Sequence, residues 1–312
     1  MPAEITILGT ASMVPTKERN VQGIYLEYEG IGILFDCGEG TQRQMNIAGI
    51  NRNKIKHILI SHWHGDHVGG LIGMLQTIGN QLGQKLEDEY ADHEPSEVHI
   101  WGPRGTGEHL QHLLLATVAE HGKIKLKVHE LPMERHTFFE QEEFELQCAP
   151  LRHSTLVLGY AFVEKEKRKI DMRRAATHGL KGGPKIGRLQ RGETVSHDGK
   201  EITPDMVSTV VAGKKFVLIA DTMPCNEAVH LAENADLLVC ESTFDNALEE
   251  KAHKFKHMTA EQAGSLAQQA GAKRLILTHF SQRYAHVDRL TEEARLLFPH
   301  AEAAFDFMKL KL

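Results

Sequence analysis

Cysteine is scarce. The chain has four in 312 residues, Cys37, Cys148, Cys225 and Cys240, widely spaced and without a C-x-x-C pair. That spacing excludes a disulfide framework and a thiolate zinc site, and the four read as small buried hydrophobes in a reducing compartment. Long apolar runs are missing too. Stretches such as LLLATVA are far too short to span a bilayer, so no membrane partner is expected. MPAEITILGT lacks a basic region followed by an apolar one; no signal peptide is visible and the expected location is cytoplasmic. Nor is there an excess of positive charge. The net −6, taken as a whole, argues against a nucleic-acid partner.

What is present is an ordinary soluble composition, 41% hydrophobic and 25% charged, in a length sufficient for one large α/β domain over 1–312. The 20 histidines are unusual and should be surface groups or ligands. Five short apolar runs, GILFDCG, HILISHWH, FVLIADT, LLVCEST and LILTHF, read as buried strands. Each ends in an acid or a histidine: Asp36, His62, Asp221, Glu241 and His279. Binding groups gather at the carboxyl ends of strands in α/β sheets, so two related β-rich halves with one shared site are expected. EGTQRQMNIAG, TGEHLQHLLLATVAEHG and TAEQAGSLAQQAG have helical spacing and glycine stops, which places helices against the sheets.

Two segments stand outside this frame. Residues 81–95 are acidic and polar and read as a surface loop. Residues 164–192 carry ten Lys/Arg against three Asp/Glu, a local +7 that leaves −13 for the rest. A solvated face is the ordinary reading of such a run. This one also contains Gly182, Gly183 and Pro184, which break helices and expose backbone amides, so a basic arm inserted over 164–211 and contacting a phosphate backbone is the alternative.

The chemistry concentrates in ISHWHGDHVGG, where His62, His64, Asp66 and His67 fall within six residues. Residues two apart in an extended segment point the same way, so His62 and His64 can share one metal. Asp66 and His67 follow at a turn and can face a second. Imidazole and carboxylate suit zinc. Four ligands are too few for two ions, and His153, Asp221 and His279 are the candidates to complete them, Asp221 as a two-oxygen bridge. Such a pair of ions suits phosphodiester hydrolysis. His257, at a helix start, is either a capping surface histidine or the acid for the departing oxygen, oriented by Glu241. PTKERN at 15–20 is either a proline-started turn or a loop in which Lys17 and Arg19 contact phosphate and Asn20 fixes the loop or reads a base edge.

The H-x-H-x-D-H run with its later His, Asp and His resembles the signature of the metallo-β-lactamase superfamily. More narrowly, PTKERN, FDCGEGTQRQM at 35–45 and LTHFSQRY at 277–284 resemble the ribonuclease Z family, short form, over nearly the whole chain. The resemblance implies an αββα sandwich of two mixed sheets flanked by helices, with a protruding basic arm. It implies an endoribonuclease that removes the 3′ trailer of precursor tRNA, working as a homodimer. It implies Zn2+, two per subunit, with Mn2+ or another divalent ion as a substitute. His62, His64, His153 and Asp221 would hold one ion, and Asp66, His67, Asp221 and His279 the other. Asp66 would also contact the attacking water, His257 and Glu241 would assist the leaving group, and the segment around Gly182–Pro184 would grip the tRNA body. Trp63 stands where a smaller aliphatic residue is common, and CEST at 240–243 replaces HEAT while keeping Glu241. Two other readings fit the metal motif: a hydrolase of small thioesters, lactams or cyclic phosphodiesters, and a non-catalytic metal-bound RNA-binding protein.

Overall fold

The computed structural model describes residues 2–88, 97–117 and 124–312. Two seven-stranded sheets lie face to face. In spatial order the first holds Lys309–Lys311, Glu4–Gly9, Gly23–Tyr28, Ile31–Phe35, Ile55–Leu59, Glu97–Pro103 and Lys125–Leu131. The second holds Ala301–Ala303, Leu275–Thr278, Leu237–Glu241, Lys215–Ile219, Leu158–Glu164, Phe144–Pro150 and His136–Glu140. Both sheets are mixed. In the first, Ile31–Phe35 onward run parallel; in the second, the parallel part is Lys215–Ile219 through Ala301–Ala303.

Strand alternation explains the layers, because successive side chains face opposite sides of a sheet. Phe216 and Leu218 enter the apolar layer between the sheets, with Phe35, Tyr160 and Ile276. Their neighbours Val217 and Ile219 face the helices Asn226–Ala232, Ala260–Gln269 and Asp288–Arg295. A third apolar layer joins the other face of the first sheet to Thr41–Ile47, Leu71–Asp88 and Thr106–Leu115. Each fully buried Phe or Leu in these layers contributes about 1.5–3 kcal/mol relative to exposure. The architecture is therefore helices, sheet, sheet, helices. All four cysteines are free and buried. Among the described residues, no helix is long and apolar enough to cross a membrane.

The five apolar runs are strands, and the three glycine-terminated segments contain helices at Thr41–Ile47, Thr106–Leu115 and Ala260–Gln269. Residues 118–122 of the second segment lie outside the described residues. The surface loop expected over 81–95 needs correction: helix Leu71–Asp88 continues through 81–88. Its residues Gln, Leu, Lys, Glu and Asp include good helix formers, and no proline intervenes. The remainder of that loop also falls outside the described residues.

Residues 165–213 leave the second sheet between Leu158–Glu164 and Lys215–Ile219 and form a small lobe. Its base is the antiparallel pair Lys167–Ile170 with Ser208–Val211. Ala175, Leu180, Leu189, Val195, Ile202 and Val207 give it an apolar core of its own. Arg168, Arg174, Arg188 and Arg191 pair with acids inside the lobe, while Lys169, Arg173 and Lys181 are exposed.

Candidate metal centre and active site

The ends of both sheets meet at one floor. Tyr160, from the second sheet, donates its hydroxyl to the Ile60 carbonyl at 2.7 Å, and Leu158 N–H donates to the Ser61 carbonyl at 2.9 Å. These ties hold the histidine-rich loop, which leaves strand Ile55–Leu59, against the other half of the molecule. Asp221 follows strand Lys215–Ile219, His279 follows Leu275–Thr278, and Glu241 ends Leu237–Glu241.

Residues 62 to 279 converge. One atom each from His62, His64, His153 and Asp221 lie within 4.8 Å of one another, as do atoms from Asp66, His67 and His279. Asp221 stands between the groups. Its Oδ2 is 3.8 Å from His62 Nε2 and 3.9 Å from His153 Nε2; its Oδ1 is 3.4 Å from His67 Nε2 and 3.2 Å from His279 Nε2. Asp66 Oδ2 is 3.5 Å from both His67 Nε2 and His279 Nε2.

The outer ring nitrogens are occupied, which turns the inner ones toward the site. His67 Nδ1 meets Asp36 Oδ2 at 2.7 Å, His62 Nδ1 meets Ser61 Oγ at 3.0 Å, His279 Nδ1 meets Thr243 Oγ1 at 3.0 Å, and His153 Nδ1 meets the Lys256 carbonyl at 2.9 Å. Such outer partners fix ring orientation and tautomer in metal sites. His67 Nε2, His279 Nε2 and Asp221 Oδ1 are buried with no hydrogen-bond partner. Unpaired buried polar atoms are costly, and a divalent cation is the group that would satisfy two imidazole nitrogens and a carboxylate oxygen together. The residues therefore fit metal.

Charge follows the same layout. Burial alone would raise the carboxyls of Asp66 and Asp221, but the adjacent His279 and His67 hold both well below the usual range. Burial would lower His67, yet Asp221 and Asp36 lift it well above. His62 is pushed down by burial and by His67. His257 Nδ1 lies 2.9 Å from Glu241 Oε1. Burial opposes its charge, but Glu241 prevails and lifts it to about 9. Glu241 is itself fixed by the Thr222 N–H at 2.8 Å and the Thr243 hydroxyl at 2.7 Å. Cys240, in the CEST departure, points into the helix-side core.

A cavity of about 1470 Å³ opens onto His64, Asp66, His153, Asp221, His257 and His279. Lys17, Arg19 and Asn20 do not line it. Lys17 is exposed. Arg19 donates to the Tyr284 carbonyl and lies over the Phe280 ring. The Asn20 N–H donates to Asp306 Oδ2 at 2.7 Å and its side-chain amide to the Glu39 carbonyl at 2.8 Å. Arg19 and Asn20 thus fix the loop. Gly182, Gly183 and Pro184 are exposed where the chain enters helix Pro184–Gln190 of the lobe, the two glycines at φ 142° and 89°, and also lie off the cavity. Sequence reasoning noted Asp36 as a strand end without giving it a role, and it missed Ser61, Thr243 and the backbones of Met13 and Lys256. Met13 N–H donates to Asp66 Oδ2 at 2.8 Å.

Two packed mixed sheets with a cluster of histidines and aspartates at their shared edge, a candidate metal centre, define a metallo-β-lactamase fold. Residues 186–280 match the family model of the beta-lactamase superfamily domain, and residues 3–167 match one described as anti-Pycsar protein Apyc1. Ribonuclease Z of Methanothermobacter thermautotrophicus is 39% identical over 310 residues, covering 99% of this chain and 96% of its own length. That of Thermobifida fusca is 39% identical, covering 95% and 90%. The crystal structure of human tRNase Z, short form, aligns with a TM-score of 0.69 at 26% identity over 98% of each chain. The Bacillus subtilis metallo-beta-lactamase fold protein YhfI aligns at 0.70 and 20% identity over 100% of each, a likeness of fold. The chain belongs to the ribonuclease Z family.

Proposed function

We propose that this chain is a divalent-metal-dependent endoribonuclease that removes the 3′ trailer of precursor tRNA and leaves a 3′-hydroxyl on the tRNA. The observation that supports it most is Asp221, with one oxygen toward each of two histidine groups drawn from both halves of a chain whose full-length relatives are named ribonuclease Z. A hydrolase of small phosphodiesters or thioesters is not favoured, because relatives named ribonuclease Z match over nearly the whole length.

In this reading His62, His64, His153 and Asp221 hold one Zn2+, and Asp66, His67, His279 and Asp221 the other. Bound there, divalent ions acidify a water and neutralise charge on the phosphoryl oxygens. Asp66, kept ionised, accepts a hydrogen bond from the attacking water and aims it at phosphorus. His257, protonated at neutral pH, gives its proton to the departing 3′-oxygen. Glu241 holds that imidazole with Nε2 toward the cavity. Lys17 and the lobe of residues 164–211, with its exposed Gly182, Gly183 and Pro184, contact the RNA body through its backbone. A homodimer in which one lobe reaches RNA held at the other site completes the reading.

The test is incubation of purified protein with a trailer-bearing precursor tRNA and mapping of both product ends, with chelator in a parallel sample. A single cut giving a 3′-hydroxyl tRNA and a 5′-phosphate trailer, abolished by chelator, is expected. Uncut precursor with metal present would refute the proposal, and sedimentation in the same buffer reads the dimer.

A further inference from the structure

We propose that Phe255 is a stacking platform for the nucleobase whose 3′-oxygen departs, the last base of the tRNA product; this rests on the function proposed above. Phe255 lines the cavity and is 50% exposed. It ends helix Glu249–Phe255, in which Ala252 is the buried residue, so no core requires the ring. The ammonium groups of Lys251 and Lys254 each lie 5.9 Å from its centroid. A half-exposed ring attended by two flexible lysines in this cavity matches what a nucleotide needs: a surface on which its base can replace the ammonium groups, and charge for the phosphates on either side.

The position of the ring is tied to the catalytic groups. Lys256 follows in the left-handed region at φ 58°, which ends the helix abruptly. Its carbonyl accepts from His153 Nδ1 at 2.9 Å, and its ammonium donates to the His153 carbonyl at 3.2 Å. His257 comes next. Phe255 and His257 line the same cavity two residues apart, and His257 serves the departing oxygen, so the ring is assigned to the nucleotide that keeps that oxygen. The cavity's other phenylalanine offers no such face. Phe244 is only 5% exposed.

The experiment is a cycle on kcat/KM, using wild type and Phe255→Ala with a precursor that is either intact or abasic at the last tRNA nucleotide. Stacking predicts about a ten-fold loss for either change alone, within the range of one base on one aromatic side chain, and no further loss for both together. Phe255→Trp should keep activity and Phe255→Leu should not, although both fill the space, and thermal midpoints should match because the ring is not in the core. Multiplicative losses, or full activity in Phe255→Leu, would overturn the platform while leaving the nuclease reading intact. Coupling that appears only when the abasic site is moved to the first trailer nucleotide would overturn the assignment of side. Intact precursor left uncut by wild type would overturn the functional reading, and this inference with it.

Discussion

Asp36 Oδ2 stands 2.7 Å from His67 Nδ1, and both side chains are buried. The other oxygen of Asp36 accepts the Ser61 N–H at 2.7 Å, while Ser61 Oγ donates to Oδ2 at 2.8 Å. One carboxylate thereby orients a ring of the second histidine group and the start of the histidine loop. Asp36→Asn should weaken metal binding about 10–100-fold, the usual effect of losing an outer carboxylate partner. Competition with a chromogenic chelator measures it. Unchanged affinity would mean that His67 is oriented by its surroundings alone.

His257 should matter only where the leaving group needs a proton. His257→Ala should lower kcat on precursor tRNA by about 10²–10⁴, the range of positioned acid catalysis. On a phosphodiester with a p-nitrophenolate leaving group, whose conjugate acid is already strong enough, the loss should be slight. Equal losses on both substrates would place His257 in binding or in support of the metal groups.

The candidate ligands His62, Asp221 and His279 were legible because each ends an apolar run, where a sheet exposes side chains to a shared cleft, and His64, Asp66 and His67 were legible from their spacing after His62. His153 was a candidate only as a missing member of the shell; it follows strand Phe144–Pro150, which was not among the five apolar runs. What stayed hidden depends on long-range contact. Nothing local tells that Asp36 supports His67, that Thr243 supports His279, or that the Lys256 carbonyl supports His153. Arg19 read as a phosphate contact and Asn20 as either a loop-fixing residue or a base contact; which groups engage them, Tyr284, Phe280, Asp306 and Glu39, depends on tertiary contact. The lobe's core was masked by charge: Leu180, Leu189 and Ile202 are sparse among lysines and arginines. Histidine abundance was misleading too, since His57, His99 and His129 are neither simple surface groups nor ligands but stack beside Trp101.

The lobe gives a clean separation of binding from folding. Its apolar cluster is separate from the three layers of the sandwich, and Glu164 N–H donates to the Lys214 carbonyl at 2.8 Å, so its two ends meet. Deleting 165–192 would leave Ser208–Val211 unpaired and half a core behind. Replacing 167–211 by a short glycine-serine link should instead keep the thermal midpoint near that of the intact protein. Precursor tRNA cleavage should fall at least ten-fold and lose much of its salt dependence, because counterion release scales with the phosphates neutralised. Hydrolysis of a small phosphodiester should persist. Equal loss on both substrates would exclude the lobe as an RNA-gripping device.

Acid should destabilise the fold through His57. The ring is 4% exposed, and Trp101 Nε1–H donates to its Nδ1 at 3.2 Å, which leaves no free site for a second proton. Burial, then His99 and His129, pull its pKa down to about 3. Below about pH 6.5 an unfolded chain binds a proton there and the native chain does not, so stability is fully present above that pH and is lost as pH falls toward 3. From pH 8 to 5 the loss from this residue is about 2 kcal/mol. His57→Gln can still accept from the Trp101 indole but cannot titrate. Its urea midpoint should therefore fall less between pH 7 and 5 than that of the wild type, with the metal ligands the same in both proteins. Parallel pH dependence in the two would show that His57 charges in the native state, and that the histidine stack accommodates the proton.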